Sequence, residues 1–220
     1  MKQNILYHDN HLLVFNKPAG LLSQKDKSGD EDINEALKKI LPNTPFIAPV
    51  HRLDRNTSGL LLVALSSQAA SALTENIRLK KVQRKYLAIV KGDPGEKGTI
   101  NLPLRKEEDS NEVFVDEELG KSAITHFIRQ KKMGATSLIE VELETGRSHQ
   151  IRAHLAHIKC ALIGDKKYAK KPWSTIFTRP ALHAVSLRFQ HPNNGKELFF
   201  SVDPPEDFQK LLFTLLKGIE

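Results

Sequence analysis

Six consecutive apolar residues, Leu60-Leu61-Leu62-Val63-Ala64-Leu65, leave this part of the chain little choice of structure. The run is too short to cross a membrane and lacks polar alternation, so it reads as a strand that can bury both faces. The residues before it are opposite in character. His51-Arg52-Leu53-Asp54-Arg55-Asn56-Thr57-Ser58-Gly59 is polar, turn-prone and ends on glycine. Side chains in such a loop are held by a rigid neighbour yet stay accessible, which suits chemistry. The plain structural alternative is a surface ion pair at a strand entrance, worth ~0–1 kcal/mol.

Upstream of this loop, Ile5–Tyr7 and Leu12–Asn16 read as short strands around a His8-Asp9-Asn10 turn. Lys17-Pro18-Ala19-Gly20 ends the second strand, and Lys17 is either solvated or a phosphate contact. Ile33, Leu37, Ile40 and Leu41 predict an amphipathic helix over 32–41, closed by Pro42. After the buried strand, Ser66 or Ser67 can cap a helix over Gln68–Lys80. A strand follows, with Tyr86, Ala88 and Val90 on one face.

The segment 97–122 reads as poorly packed strands in a charged, mobile excursion. Ala123–Arg129 and Ser137–Leu143 form a hairpin through Lys131-Lys132-Met133-Gly134. The second strand delivers Arg147 to the mouth of a helix capped by Ser148, with His149 and Arg152 facing away from its apolar stripe. His149, His154 and His157 lack the spacing and adjacent glutamate of a helical zinc site, so no metal is expected. Lys166, Lys167, Lys170, Lys171 and Trp173 are a nucleic-acid rim or a solvated loop. A last hairpin turns at His191-Pro192-Asn193-Asn194-Gly195. A closing helix then buries Phe208, Leu211, Leu212, Leu215 and Ile219. The pattern predicts one α+β domain over 1–220, with a mixed, largely antiparallel central sheet flanked by helices.

Lys and Arg outnumber Asp and Glu by 33 to 26, for a formal charge of +7, which favours a polyanionic partner. The lone Cys160 excludes an internal disulfide, and the N-terminus lacks a signal-peptide core. A cytoplasmic protein with no membrane partner is expected.

Arg52/Asp54, Tyr86 and Arg147/Arg152 each lie at a strand end or a strand–helix junction. Their surroundings carry a resemblance. The stretch His51–Leu60 resembles the signature of the RluA family of RNA pseudouridine synthases. Asn16-Lys17-Pro18-Ala19-Gly20 is similar to that family's opening motif, and Arg84-Lys85-Tyr86-Leu87-Ala88 to its tyrosine motif. Thr145-Gly146-Arg147-Ser148-His149-Gln150-Ile151-Arg152 is similar to its arginine motif, and Leu182-His183-Ala184 with His191-Pro192 to its C-terminal part. Ala161 stands where the family has proline, and 97–122 matches poorly. The small basic S4-type domain of many members is not expected here, because the match begins almost at Met1.

The resemblance implies a pseudouridine synthase fold with a central cleft, and isomerisation of uridine to pseudouridine in RNA without cofactor or metal. It implies that Asp54 is the essential carboxylate, as nucleophile or base, and that Tyr86 stacks on the uracil and moves a proton. Arg147 is the expected cationic partner of Asp54, with Arg152 as the other candidate for that place. Arg52 is expected to fill the space left by a flipped base or to hold a phosphate, with Arg152, Lys17 and His149 as further RNA contacts. The expected partner is a stem-loop of ribosomal or transfer RNA, not DNA, met by a monomer. Two other readings compete with this one. A non-catalytic RNA-binding or ribosome-assembly protein on this fold has no need of Asp54, and a nucleoside glycosidase would need a second carboxylate, for which only Glu144 is near.

Overall fold

The computed structural model describes residues 1–107 and 110–218. In chain order its elements are β1 (Ile5–His8), β2 (Leu12–Lys17), α1 (Ile33–Ile40), β3 (Ala48–Pro49), β4 (Ser58–Ala64), α2 (Ser67–Arg78) and β5 (Gln83–Lys91). There follow β6 (Lys97–Asn101), β7 (Leu104–Lys106), β8 (Val113–Val115), β9 (Ile124–Met133), β10 (Thr136–Leu143) and α3 (Gln150–His157). The chain ends with β11 (Leu182–Gln190), β12 (Glu197–Ser201) and α4 (Glu206–Lys217). The fold class is as the patterning predicts: α+β, with a mixed, mostly antiparallel sheet and helices around it. The chain divides into two compact units, Met1–Arg84 with Ala184–Asp203, and Lys85–His183 with Pro204–Glu220. Among the described residues no helix is long and apolar enough to cross a membrane.

In the first unit the strands lie in the order β1-β2-β4-β11, with β3 beside β4 and β12 beside β11. Every residue of β4 is buried, which the six-residue apolar run requires of an interior strand. β2 runs antiparallel to it, from Leu12 opposite Ala64 to Lys17 opposite Gly59. Leu12, Val14, Leu60 and Leu62 share a core with Ala69 and Leu73 of α2 and with Leu187 and Phe189 of β11. Burying one such leucine is worth roughly 2 kcal/mol. Ser66 caps α2, its hydroxyl accepting from the Ala69 N–H, and Asp32 caps α1 by accepting from Glu35.

Asp9 ties the start of this unit to its end. Its carboxylate accepts from the Tyr7 hydroxyl (2.7 Å), the His11 and Leu12 N–H groups (2.7 and 2.9 Å) and His191 Nε2 (2.8 Å). His191 Nδ1 in turn accepts from the Asn193 and Asn194 N–H groups. Burial pushes the Asp9 carboxyl up, but these four bonds outweigh it and hold the group well below the usual carboxylate range. A depressed carboxylate stabilises the fold above its unfolded pKa, and that contribution fades as pH falls through the acid range. Asp9→Asn is therefore expected to cost about 2 kcal/mol at pH 7, with the deficit shrinking toward zero below about pH 4. Urea midpoints of both proteins at several pH values check this, and a pH-independent deficit contradicts it.

In the second unit the order is β5-β10-β9-β6, antiparallel throughout. Ile89, Ile163, Phe177 and Ala181 form its core with Phe208 and Leu211 of α4. Arg179 holds that helix by a two-pronged bond to Asp207 (2.7 and 2.9 Å). Three expectations change here. The central hairpin is longer than the sequence suggests, because β9 continues to Met133, opposite Thr136, and turns only at Gly134-Ala135. The segment 97–122 is packed rather than loose: Leu104 and Val113 are buried with Ala123 and Ala153 of α3. Within that segment, Glu108 and Asp109 lie outside the described residues, as does Ile219 of the expected closing stripe. Finally, α3 is capped by His149 in a left-handed conformation (φ 50°), not by Ser148, and no side chain caps its first turn.

Candidate active site

Asp54 sits half-buried in the loop that enters β4, and the backbone around it is fastened on both sides. On one side Leu53 donates its N–H to Ser23 Oγ (3.1 Å) and takes the Ser23 hydroxyl on its carbonyl (2.8 Å). On the other side the Arg55 carbonyl accepts from the Gly20 N–H (2.8 Å) and from Lys17 Nζ (3.0 Å). The Asp54 carbonyl takes the Thr57 N–H at 2.9 Å and closes the turn. Lys17 is a correction to both of its expected roles. It is 0% exposed, and Nζ also donates to the carbonyls of Pro18 (3.1 Å) and Leu21 (2.8 Å). A lysine buried this deeply is neither solvated nor a surface contact for phosphate.

The arginines flanking Asp54 differ. Arg52 is exposed, while Arg55 reaches Asp30 at 2.7 Å in a pair about half exposed on each side. His51 Nε2 accepts the Leu62 N–H (3.1 Å), which leaves the ring proton on Nδ1. That Nδ1 is buried without a partner. Burial and the nearby charge of Arg84 push the imidazole down to about 3, so it stays neutral at working pH.

The remaining predicted residues belong to the second unit. Tyr86 is buried on β5, opposite Val141 of β10. Arg147 is exposed, with Nε donating to the Ser122 carbonyl (3.0 Å) and its backbone N–H donating to Gln150 Oε1 (2.9 Å). Gln150, itself buried, also accepts from the Thr145 hydroxyl, and its amide donates to the Ile124 carbonyl and Thr125 Oγ1. One side chain thus fixes the turn that presents Arg147.

Arg152 departs from its expected place on phosphate. Its Nε and Nη2 grip Asp165 at 2.7 and 2.9 Å, its side chain is only 11% exposed, and Asp165 is fully buried. The guanidinium also lies 5.0 Å from the Tyr168 ring centre. The Tyr168 hydroxyl accepts the Val113 N–H (2.9 Å) and meets His149 Nδ1 at 3.0 Å. Burial pushes that phenol up to about 12, despite the Val113 bond and the Arg152 charge, so it keeps its proton. His149 is half-buried, with its ring edge-on to that of Tyr168. His154, expected to share no metal with it, bridges Thr125 Oγ1 and the Leu102 carbonyl (both 2.9 Å). Trp173, taken as the aromatic of a basic rim, packs against the second unit's core, while the four lysines around it are exposed. Glu144, the second carboxylate a glycosidase would need, contacts His126 Nε2 at 2.7 Å.

Ser23, Gln150, Asp165 and Tyr168 were not singled out from the sequence. Of these, only Asp165 carried a signal: an acidic residue directly after Gly164 and immediately before Lys166-Lys167.

The family model for RNA pseudouridylate synthase matches residues 11–157, which contain Asp54, Tyr86, Arg147 and Arg152. The chain belongs to that family. The enzyme is 38% identical to ribosomal large subunit pseudouridine synthase D of Xanthomonas campestris pv. campestris, over 96% of this chain and 69% of that protein. It is 36% identical to ribosomal large subunit pseudouridine synthase C of Buchnera aphidicola, over 97% of this chain and 71% of the relative. In fold it is similar to human RNA pseudouridylate synthase domain containing 4, with a TM-score of 0.79, 24% identity and coverage of 98% of this chain and 94% of the other. The enzyme is an RNA pseudouridine synthase, and RNA is its substrate. The reading as a non-catalytic RNA-binding protein falls with that result.

Proposed function

We propose that this enzyme converts one or more specific uridines of large-subunit ribosomal RNA to pseudouridine. The observation that carries the proposal is the similarity, over nearly the whole chain, to relatives named for that RNA. In the reaction the N1–C1′ bond breaks and C5 joins C1′, while the C5 proton leaves and N1 gains one, with no redox change. Asp54 supplies the carboxylate, as the nucleophile that takes C1′ or as the base that acts on the sugar. Tyr86 stacks on the uracil and moves a proton through its hydroxyl. Arg147, exposed on its Gln150-braced turn, supplies the cation of the site, a role for which Arg152 is less suited because its fork already holds Asp165. Arg52, exposed two residues before Asp54, fills the space of the flipped nucleotide or holds its phosphate.

The net charge of +7 draws the enzyme to RNA through counterion release. The 220 residues act as one catalytic domain, as a monomer in the cytoplasm, on RNA and not DNA. Deleting the gene and mapping pseudouridines across cellular RNA by carbodiimide-based sequencing tests the substrate. Sites lost from large-subunit ribosomal RNA are expected. Losses confined to transfer RNA would move the substrate there.

A further inference from the structure

We propose that Ser23 and Lys17 are positioning residues for Asp54, acting through the backbone on either side of it. The proposal rests on the reading of Asp54 as the reacting carboxylate. The residues on both sides of Asp54 are held by the same short stretch of chain, which lies more than thirty positions upstream. Ser23 Oγ takes the Leu53 N–H and gives its own proton to the Leu53 carbonyl, so one hydroxyl fixes the peptide groups on both sides of Leu53. Lys17 Nζ and the Gly20 N–H converge on the Arg55 carbonyl. Between these anchors the backbone of Asp54 has little room to turn, and the direction of its carboxylate follows from that backbone.

The cost of the arrangement argues for a use. An ammonium at 0% exposure gives up its hydration, a desolvation that its bonds to the carbonyls of Pro18, Leu21 and Arg55 must offset. An apolar side chain in β2 would fill the same space without that penalty, as Leu12, Leu13, Val14 and Phe15 do earlier in the strand. What an apolar residue would not do is reach across to the loop and seize a carbonyl next to the carboxylate. Ser23 is likewise 4% exposed, and its removal strands a donor and an acceptor of Leu53 in the interior. A loop that only needed to be stable would be served by burying Leu53, which is itself 5% exposed. The paired hydroxyl and ammonium add orientation.

Ser23→Ala is the informative variant, because it removes one hydroxyl, whereas Lys17→Met takes a charge out of the core and threatens the fold itself. The measurements are the single-turnover rate constant at saturating RNA, using a ribosomal RNA transcript that the wild type modifies, the affinity for that RNA, and amide hydrogen exchange at Leu53. The expected result is a rate constant about ten- to a hundredfold lower, since small misplacements of a reacting group are expensive. RNA affinity should be unchanged, exchange at Leu53 faster, and Ser23→Thr, which keeps the hydroxyl, should recover the rate. A folded Ser23→Ala enzyme that turns over at the wild-type rate overturns the proposal and leaves the role of Asp54 standing. Wild-type protein that modifies no ribosomal or transfer RNA overturns the reading of Asp54, and this proposal with it.

Discussion

Asp54→Asn is expected to abolish pseudouridine formation while RNA binding survives. The substitution is nearly isosteric, and the bonds that fix the loop, from Thr57, Ser23, Gly20 and Lys17, all run to backbone atoms that it leaves in place. What disappears is the charge. A neutral amide is neither a nucleophile toward C1′ nor a base, so the loss of rate should be about 10⁴-fold or more, as when a nucleophile is removed elsewhere. Affinity for RNA should hold or rise slightly, because an anion has been taken away from a polyanion. Counting pseudouridines in a modified transcript and measuring binding at fixed salt separates the two effects. Turnover near the wild-type rate would mean that another group carries the reaction, and the loop would then be a binding element only.

Gly59→Ala should destabilise the fold strongly. Gly59, the second residue of β4, has φ +111°, a conformation that L side chains rarely adopt. An added Cβ would lie 2.2 Å from the Ala184 carbonyl oxygen and 2.6 Å from its nitrogen, both backbone atoms of β11. Neither can step aside as a flexible side chain would, so the two strands must part where β4 enters the sheet. Strain and overpacking together put the cost at roughly 3 kcal/mol or more. Gly134→Ala is the control. It also has positive φ (+56°), but nothing lies within 4 Å of its added Cβ, so only the conformational penalty of about 1 kcal/mol applies. Urea midpoints of the two variants should differ accordingly. Equal midpoints would show that the close approach of β4 and β11 is not a constraint.

What could be read from the sequence was whatever repeats along one element. The apolar run gave β4, the two serines before Gln68 offered the cap of α2 that Ser66 provides, and alternation placed Tyr86 with Ala88 on one face of β5. What could not be read depended on contacts distant in sequence. Lys17 looks like a strand-end lysine, and its burial goes with a bond to the carbonyl of Arg55, 38 residues on, in the loop beyond β3. Arg152 looked free because Asp165 lies past the end of α3, in a turn that nothing in the sequence folds back onto the helix. The charge of residues 97–122 hid Leu104 and Val113, two isolated apolar residues whose burial depends on Ala123 and Ala153. The cap of α3 departs from the expected Ser148: His149 takes that place with no side-chain bond, and the Gln150 side chain accepts the Arg147 N–H, ahead of the helix. The roles of Asp54, Tyr86 and Arg147 came from the resemblance and not from periodicity.

The interrupted path of the chain bears on how the protein is made. The unit that carries Asp54 is built from Met1–Arg84 and Ala184–Asp203, and its core needs Leu187 and Phe189. During translation those last residues do not yet exist when the first are already outside. At about 5–20 residues per second, the intervening Lys85–His183 keeps the nascent chain waiting on the order of ten seconds. Throughout that interval β4 has β2 on one side but lacks β11 on the other, and its leucines are a target for chaperones or for aggregation.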